Sequence, residues 1–208
     1  QMQQGYGQGQ MQQGYGQGQM QQGYGQGQMQ QGQGQMGQQG QMNQQGPNPL
    51  DQLAQYERQD FGVPPTQELH SGQMHGRTPA SIPGGQVLTT KGLVELVQSQ
   101  QTPYLLFDVL GSGETLPGAI PAVQAAQAGS FQDQTQQMFG QFLQQATRGN
   151  QEVPLIFYCA SIECWMSYNA ALRAINLGYR NVLWYRGGLA AWKQAGGPTM
   201  QGGQGWGQ

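Results

Sequence analysis

Two regimes of hydrophobic patterning divide the chain. Over residues 1–46 the only apolar side chains are Met and Tyr at regular intervals, whereas from residue 86 short apolar runs alternate with amphipathic stretches. Residues 104–110, 153–158 and 182–185 are continuous apolar runs, the first broken only by Asp108. Runs this short and this apolar predict strands buried on both faces of a parallel sheet. Between them, residues 91–98, 131–148, 165–177 and 189–195 place apolar residues at helical spacing, as in Phe131, Met138, Phe139, Phe142 and Leu143. Residues 86–89 and 119–120 read as further short strands, 111–118 as a loop, and Thr90 as the cap of the first of these helices. Strands alternating with helices imply an α/β fold, a parallel sheet with helices on both faces.

Composition sets the organisation around that domain. Residues 1–46 use five residue types, and the nonapeptide MQQGYGQGQ repeats unchanged from Met2, Met11 and Met20. With almost no branched apolar residues, such a segment cannot offset the entropy of ordering, so a disordered tail is expected, able to self-associate weakly. Residues 47–85 carry Pro47, Pro49, Pro64, Pro65, Pro79 and Pro83 and are expected to be a linker with one short helix at 50–58. His70 and His75 lie in it; their spacing is not that of one helix face, and solvated loop histidines are expected. The folded domain spans 86–197, and 198–208, with Trp206, returns to a flexible Gly/Gln tail.

Charged residues make up 9% of the chain, against about 25% in an ordinary domain. Eight Lys and Arg among 208 residues exclude a basic nucleic-acid binder, and no apolar run approaches a membrane-spanning length. No phosphate-binding loop, metal quartet or dinucleotide fingerprint occurs, so no cofactor is expected. The sequence begins Gln1-Met2-Gln3; removal of a signal peptide is the simplest expectation, which would place the protein in the periplasm or outside the cell.

The chemistry gathers at one strand end. The run 153–158 leads into Cys159, then Ala160, Ser161, Ile162 and Glu163, then Cys164, Trp165 and a helix. Unpaired N–H groups at a helix mouth favour an anion and should lower a thiol pKa. A Cys closing an apolar strand can also be plain core. Both cysteines of the chain fall within six residues, which points to paired chemistry. The pair can act as nucleophile and resolving thiol, rest as a disulfide, or leave Cys164 an independent buried thiol. Trp165 reads as a core or lid aromatic, and Trp184 and Trp192 as core. Arg173 is the helix residue best placed to add positive potential.

Several of these stretches resemble one family. FDVLGSGETLPGAIP, with Asp108 ending a strand and a turn from Pro117 to Ile120, and LIFYCASIECWMSYNAALRAINLGYRNVLWYRGGLAAWKQAG, with Cys159 and the Gly-Gly-Leu-x-Ala-Trp run from Gly187 to Trp192, are similar to rhodanese-like domains over residues 86–197. Within that superfamily the chain most resembles exported bacterial proteins carrying a Cys-x(n)-Cys-Trp motif, some associated with quinone-dependent alcohol oxidation. The resemblance implies transfer of sulfane sulfur: Cys159 takes sulfur from a small donor as a persulfide, loop N–H groups cradle it, and a thiol, which can belong to a protein, removes it.

The departures from the family matter. Many rhodaneses carry Arg where Cys164 stands, and the loop Ala160-Ser161-Ile162-Glu163 has an acid and no base. Thiosulfate should bind poorly. The arginine-bearing loop of related phosphatases is missing as well. Two other classes remain open: a binding module that keeps only the fold, and an extracellular structural protein acting through its Gln-Gly-Tyr repeats.

Overall fold

The computed structural model describes residues 46–202. The expectations for the repeat segment, Gly46 apart, and for Trp206 fall outside the described residues.

The apolar runs form the strands of one sheet. β1 (Gln86–Leu88), β2 (Leu105–Asp108), β4 (Ile120–Pro121), β5 (Leu155–Tyr158) and β6 (Val182–Tyr185) are all parallel, in the order β1-β6-β5-β2-β4. Leu155, Phe157 and Cys159 point into the core beneath α3 (Gln134–Thr147) and α4 (Met166–Asn176). Ile156 and Tyr158 point into a second core, shared with residues of α2 (Thr90–Ser99) and α5 (Gly188–Gln194). This period-2 alternation assigns Cys159 to the α4 side of the sheet. Phe107, Phe139 and Phe157 are fully buried there, each contributing about 1.5–3 kcal/mol of burial. The α/β fold with helices on both faces is as expected.

Several boundaries move for local reasons. Thr89, not Thr90, caps α2, accepting from the Gly92 N–H. Asp133 caps α3 through the Gln136 N–H, so Phe131 stays outside the helix. A 3-10 turn at Val123–Ala126 follows β4 where the pattern gave no signal.

Two segments expected to be loose are packed. Residues 198–208 were expected to be a flexible tail, yet β7 (Met200–Gln201) pairs antiparallel with β3 (Glu114–Thr115), within the expected loop, and the Trp192 indole N–H donates to the Pro198 carbonyl at 2.8 Å. More consequential is the expected linker 47–85. Its helix α1 (Pro49–Glu57), capped by Asn48, buries Leu53 and Glu57, and Thr78 is also buried. Arg186, itself buried, donates to the carbonyls of Glu57, Gln59 and Thr78 at 2.7–2.9 Å. These are the orphan carbonyls of a helix end and of a strap returning past it. The prolines prevent a long element; they do not prevent docking.

Candidate functional site

Cys159 follows β5 directly, and its carbonyl accepts from the Leu189 N–H at 2.9 Å, while the Ala160 carbonyl accepts from the Ala190 N–H at 2.9 Å. The first turn of α5 thus clamps the start of the loop. Gly188 has φ +61°, and any Cβ there would overlap the Cys159 carbonyl, while a Cβ on Gly187 would overlap the Glu57 carboxylate; together these account for the Gly-Gly run after Arg186. The loop residues Ala160 to Glu163 then lead to Cys164 and Trp165, with α4 following.

Cys159 and Cys164 are joined by a disulfide, with their Cα atoms 6.5 Å apart. Of the alternatives open in the sequence, the structure holds the paired state. Cys159 is 1% exposed and Cys164 0%; Ile162 and Trp165 are buried, and Glu163 is exposed.

Beneath the disulfide lies a polar contact that no motif announced. The Trp184 indole N–H donates to the Ser167 hydroxyl at 3.0 Å, and that hydroxyl donates to Cys159 Sγ at 3.4 Å. Ser167 lies in the first turn of α4, eight residues after Cys159, so only the fold brings the two together. Tyr168, next in the helix, packs edge-on against both Trp165 and Trp184.

Above the disulfide lies the strap. The His70 ring stacks on Trp165, centroids 4.1 Å apart and planes 8° apart. Asn169 accepts from the His70 N–H and donates to its carbonyl. The Thr78 hydroxyl donates to the Ile162 carbonyl at 2.5 Å. The Gly76 N–H donates to the Glu163 carbonyl, and the Trp165 N–H to the Met74 carbonyl, both at 2.8 Å. His75 bridges Cys164 in antiparallel fashion. His70 is therefore a packed neighbour of the cysteine loop rather than a solvated loop residue, whereas His75 pairs with Cys164 through its backbone and is itself exposed, as expected of a loop histidine. Among the described residues, no three of His, Cys, Asp and Glu gather in a metal-binding group.

Two supporting residues take other roles. Arg173 was expected to lend positive potential to the cysteines. It is instead buried and engages Asp133 through both terminal nitrogens at 2.9–3.0 Å, and adds the Gln127 and Ser130 carbonyls and Gln136. The guanidinium hydrogen bonds hold the Asp133 carboxyl down to about 2, so the positive charge is spent on α3. Asp108 accepts from the Leu110 and Gly111 N–H groups and from the Tyr158 hydroxyl. That hydroxyl is held well above its ordinary pKa, first by burial. Asp108 thus fixes the ends of β2 and β5 from the sheet face opposite Cys159, with no contact to the sulfur.

The sequence profile of the rhodanese-like domain matches residues 91–195. A search of curated proteins finds no match to the chain. Among solved structures, the rhodanese-like domain of an Anabaena protein is 19% identical, with a TM-score of 0.41, over 55% of this chain and 77% of that one. A thiosulfate sulfurtransferase from Pseudomonas aeruginosa is 17% identical, TM-score 0.43, over 57% of this chain and only 21% of its own length. A yeast protein tyrosine phosphatase of the rhodanese family is 21% identical, TM-score 0.41, over 55% and 88%. With the profile spanning half of the chain and the motifs around Asp108, Cys159 and Gly187 in the family's order, this chain belongs to the rhodanese-like domain family.

Proposed function

We propose that this protein is a rhodanese-fold thiol protein in which Cys159 accepts sulfane sulfur or exchanges with a partner thiol, and Cys164 resolves the adduct. The observation that supports this reading is the disulfide joining these two residues at the strand-to-helix mouth. In the reduced state the Cys159 thiolate attacks the sulfane sulfur of a donor, whose remaining thiolate or sulfite departs with the electron pair. Cys159 then carries a persulfide. The Cys164 thiolate attacks the inner sulfur; the outer sulfur leaves as hydrosulfide and the Cys159–Cys164 disulfide forms. An external dithiol restores both thiols and is itself oxidised. In an exported location this disulfide would be the resting state.

One observation favours a second reading. Burial of both sulfurs suits a module that keeps the fold for partner contact and uses the disulfide as a staple.

Intact mass after sulfane loading separates the two. Reduced Cys164→Ser protein, incubated with a polysulfide donor, should gain one sulfur on Cys159, whereas reduced wild type should return to the disulfide with release of hydrosulfide. Failure of the variant to load under any donor would leave the binding module as the function.

A further inference from the structure

The two sulfurs cannot be approached as they stand. Attack on a disulfide needs a thiolate in line with the S–S bond, and the exposures of 1% and 0% leave no path. Some element must move. The floor is built from β5, α4 and the clamp of α5, all parts of the main sheet and its helices. The roof is residues 71–77, an irregular arch anchored by buried side chains at its ends and, between them, by backbone hydrogen bonds, the His70 ring on the Gln73 carbonyl and Arg77 over the Phe61 ring. At one end His70 is held by Asn169 and stacked on Trp165; at the other Thr78 is held by Arg186 and by the Ile162 carbonyl. Between these anchors, Ser71, Gly72, Gln73, His75 and Arg77 are exposed, and two backbone hydrogen bonds tie Met74 and Gly76 to the loop.

Those two bonds have a specific pattern. Gly76 N–H to Glu163 carbonyl and Trp165 N–H to Met74 carbonyl flank the His75–Cys164 bridge, which makes it a non-hydrogen-bonded antiparallel pair. In that kind of pair the facing Cα atoms are about 4.5 Å apart and the side chains are at their closest. Position 75 is therefore the backbone position that faces Cys164. If the arch lifts, the Trp165 N–H and Glu163 carbonyl lose their partners. Water can satisfy each of these groups singly, but a small anion offers no donor, and what replaces both together in the same register is another extended chain.

We propose that residues 71–77 are a displaceable strand seated on a docking strip, and that the strip's other occupant is an extended, cysteine-bearing polypeptide. This rests on the reading that the Cys159–Cys164 pair is redox-active. The partner's thiol takes the place of His75, opposite Cys164. Its thiolate attacks Cys164 Sγ, the bond to Cys159 breaks, and the electron pair leaves on Cys159 Sγ, where the Ser167 hydroxyl donates to it. A partner–Cys164 mixed disulfide remains. A second thiol of the partner attacks the partner's own sulfur, releasing Cys164 as a thiolate and leaving the partner oxidised by two electrons. Reduction by this route returns the nucleophile, Cys159, first.

The test uses the full oxidised chain and three probes at equal thiol concentration: a capped peptide copying residues 72–78 with His75→Cys, its scrambled version, and N-acetylcysteine amide. Mixed-disulfide formation is followed by intact mass, and the adduct site by peptide mapping. The peptide should react at least tenfold faster than the small thiol and than a scrambled peptide of the same composition, and its adduct should lie on Cys164. Gly76→Pro, which removes the N–H that donates to Glu163, should raise the rate with both thiols. Equal rates for peptide, scrambled peptide and small thiol in the wild type would overturn the proposal, as would an adduct on Cys159; neither result depends on the variant folding. Sulfane loading of Cys164→Ser reads the redox function separately. Peptide preference without loading would keep the docking strip and remove the sulfur-transfer reading, whereas loading without peptide preference would do the reverse.

Discussion

Glu57 and Thr90 are joined by three hydrogen bonds. Both carboxylate oxygens accept from the Thr90 N–H at 2.9 Å, and the Thr90 hydroxyl donates to one of them at 2.7 Å. That hydroxyl has only one proton, so the Tyr185 hydroxyl, 2.6 Å away, must donate to it. Glu57 ends α1, Thr90 opens α2, and Tyr185 ends β6. The contact therefore ties the N-terminal segment to the centre of the fold.

The first prediction follows from that tie. A chain starting at residue 80 should melt roughly 10 °C or more below one starting at residue 46, because it loses α1, leaves the Thr90 N–H without its carboxylate and strips Arg186 of its hydrogen-bond acceptors. Burial raises the Glu57 carboxyl above its ordinary value. The folded state then favours the protonated form, and this contribution is full below the unfolded pKa and fades as pH rises through the folded value. Denaturant titrations from pH 4 to 8 should show this falling limb, and Glu57→Gln should flatten it. A truncated chain with unchanged melting temperature would return residues 47–80 to the status of a linker.

The Arg173–Asp133 pair has the opposite sign. Asp133 is held at about 2, so its ionised form stabilises the fold above the unfolded pKa near 3.8, and that stability is lost as pH falls toward 2. The shift corresponds to about 2 kcal/mol. Asp133→Asn should remove this acid-limb loss. Arg173→Ala should cost more, about 3–5 kcal/mol, since it leaves a partly buried carboxylate without its cation and the Gln127 carbonyl without this donor. Urea unfolding at pH 3 and pH 6 measures both.

The parallel sheet was legible because its strands are buried on both faces and so read as continuous apolar runs around Phe107, Phe157 and Trp184. The cysteine loop was legible because Cys159 sits where such a run stops. The strap was not legible. His70, Met74 and Thr78 reach the loop through a ring stack, a backbone hydrogen bond and a side-chain hydroxyl respectively, interactions that leave no periodicity in the sequence. Gly and Pro in the same stretch point to a loop, and they are equally compatible with a loop that docks. Arg173 misled for a related reason: sequence shows that a cation lies on the helix, while Asp133, forty residues earlier, decides where its charge goes.

Gly188 should tolerate no side chain. Its φ of +61° disfavours any L residue, and a Cβ would overlap the Cys159 carbonyl. Gly188→Ala should cost at least about 2 kcal/mol and disturb the Leu189 N–H to Cys159 carbonyl bond. The reduced variant should also re-form its disulfide more slowly, measured by quenched alkylation. A variant with wild-type stability would show that the α5 clamp is not needed.

Thiosulfate should be a poor donor. The loop from Ala160 to Glu163 carries an exposed acid and no base, and Arg173, the nearest candidate cation on α4, is neutralised by Asp133. A dianion therefore meets repulsion where a basic loop would attract it. Thiosulfate:cyanide turnover should stay well below about 10 per second, and Glu163→Arg should lower the apparent KM severalfold at low salt, an effect that fades as salt screens it. Wild-type turnover at ordinary enzyme rates would show that the loop's charge does not set donor choice.

Ser167 should tune the Cys159 thiol once the disulfide is reduced. Its hydroxyl lies 3.4 Å from Cys159 Sγ and is oriented by the Trp184 N–H, which occupies the oxygen's acceptor side and leaves the proton free for sulfur. A hydrogen bond given to an ion is worth about 1.5–3 kcal/mol, and this one stabilises the thiolate more than the thiol. Removing it should raise the Cys159 pKa by about one unit. The measurement is the pH dependence of alkylation in Cys164→Ser, with and without Ser167→Ala. At neutral pH the double variant should react several times more slowly, while at a pH above both pKa values the two proteins should converge, because both are then fully ionised. Convergence at high pH distinguishes lost thiolate stabilisation from simple damage to the site, which would slow alkylation at every pH. Identical profiles would mean that Ser167 serves Trp184 alone and that the Cys159 thiolate owes its stability to the α4 mouth.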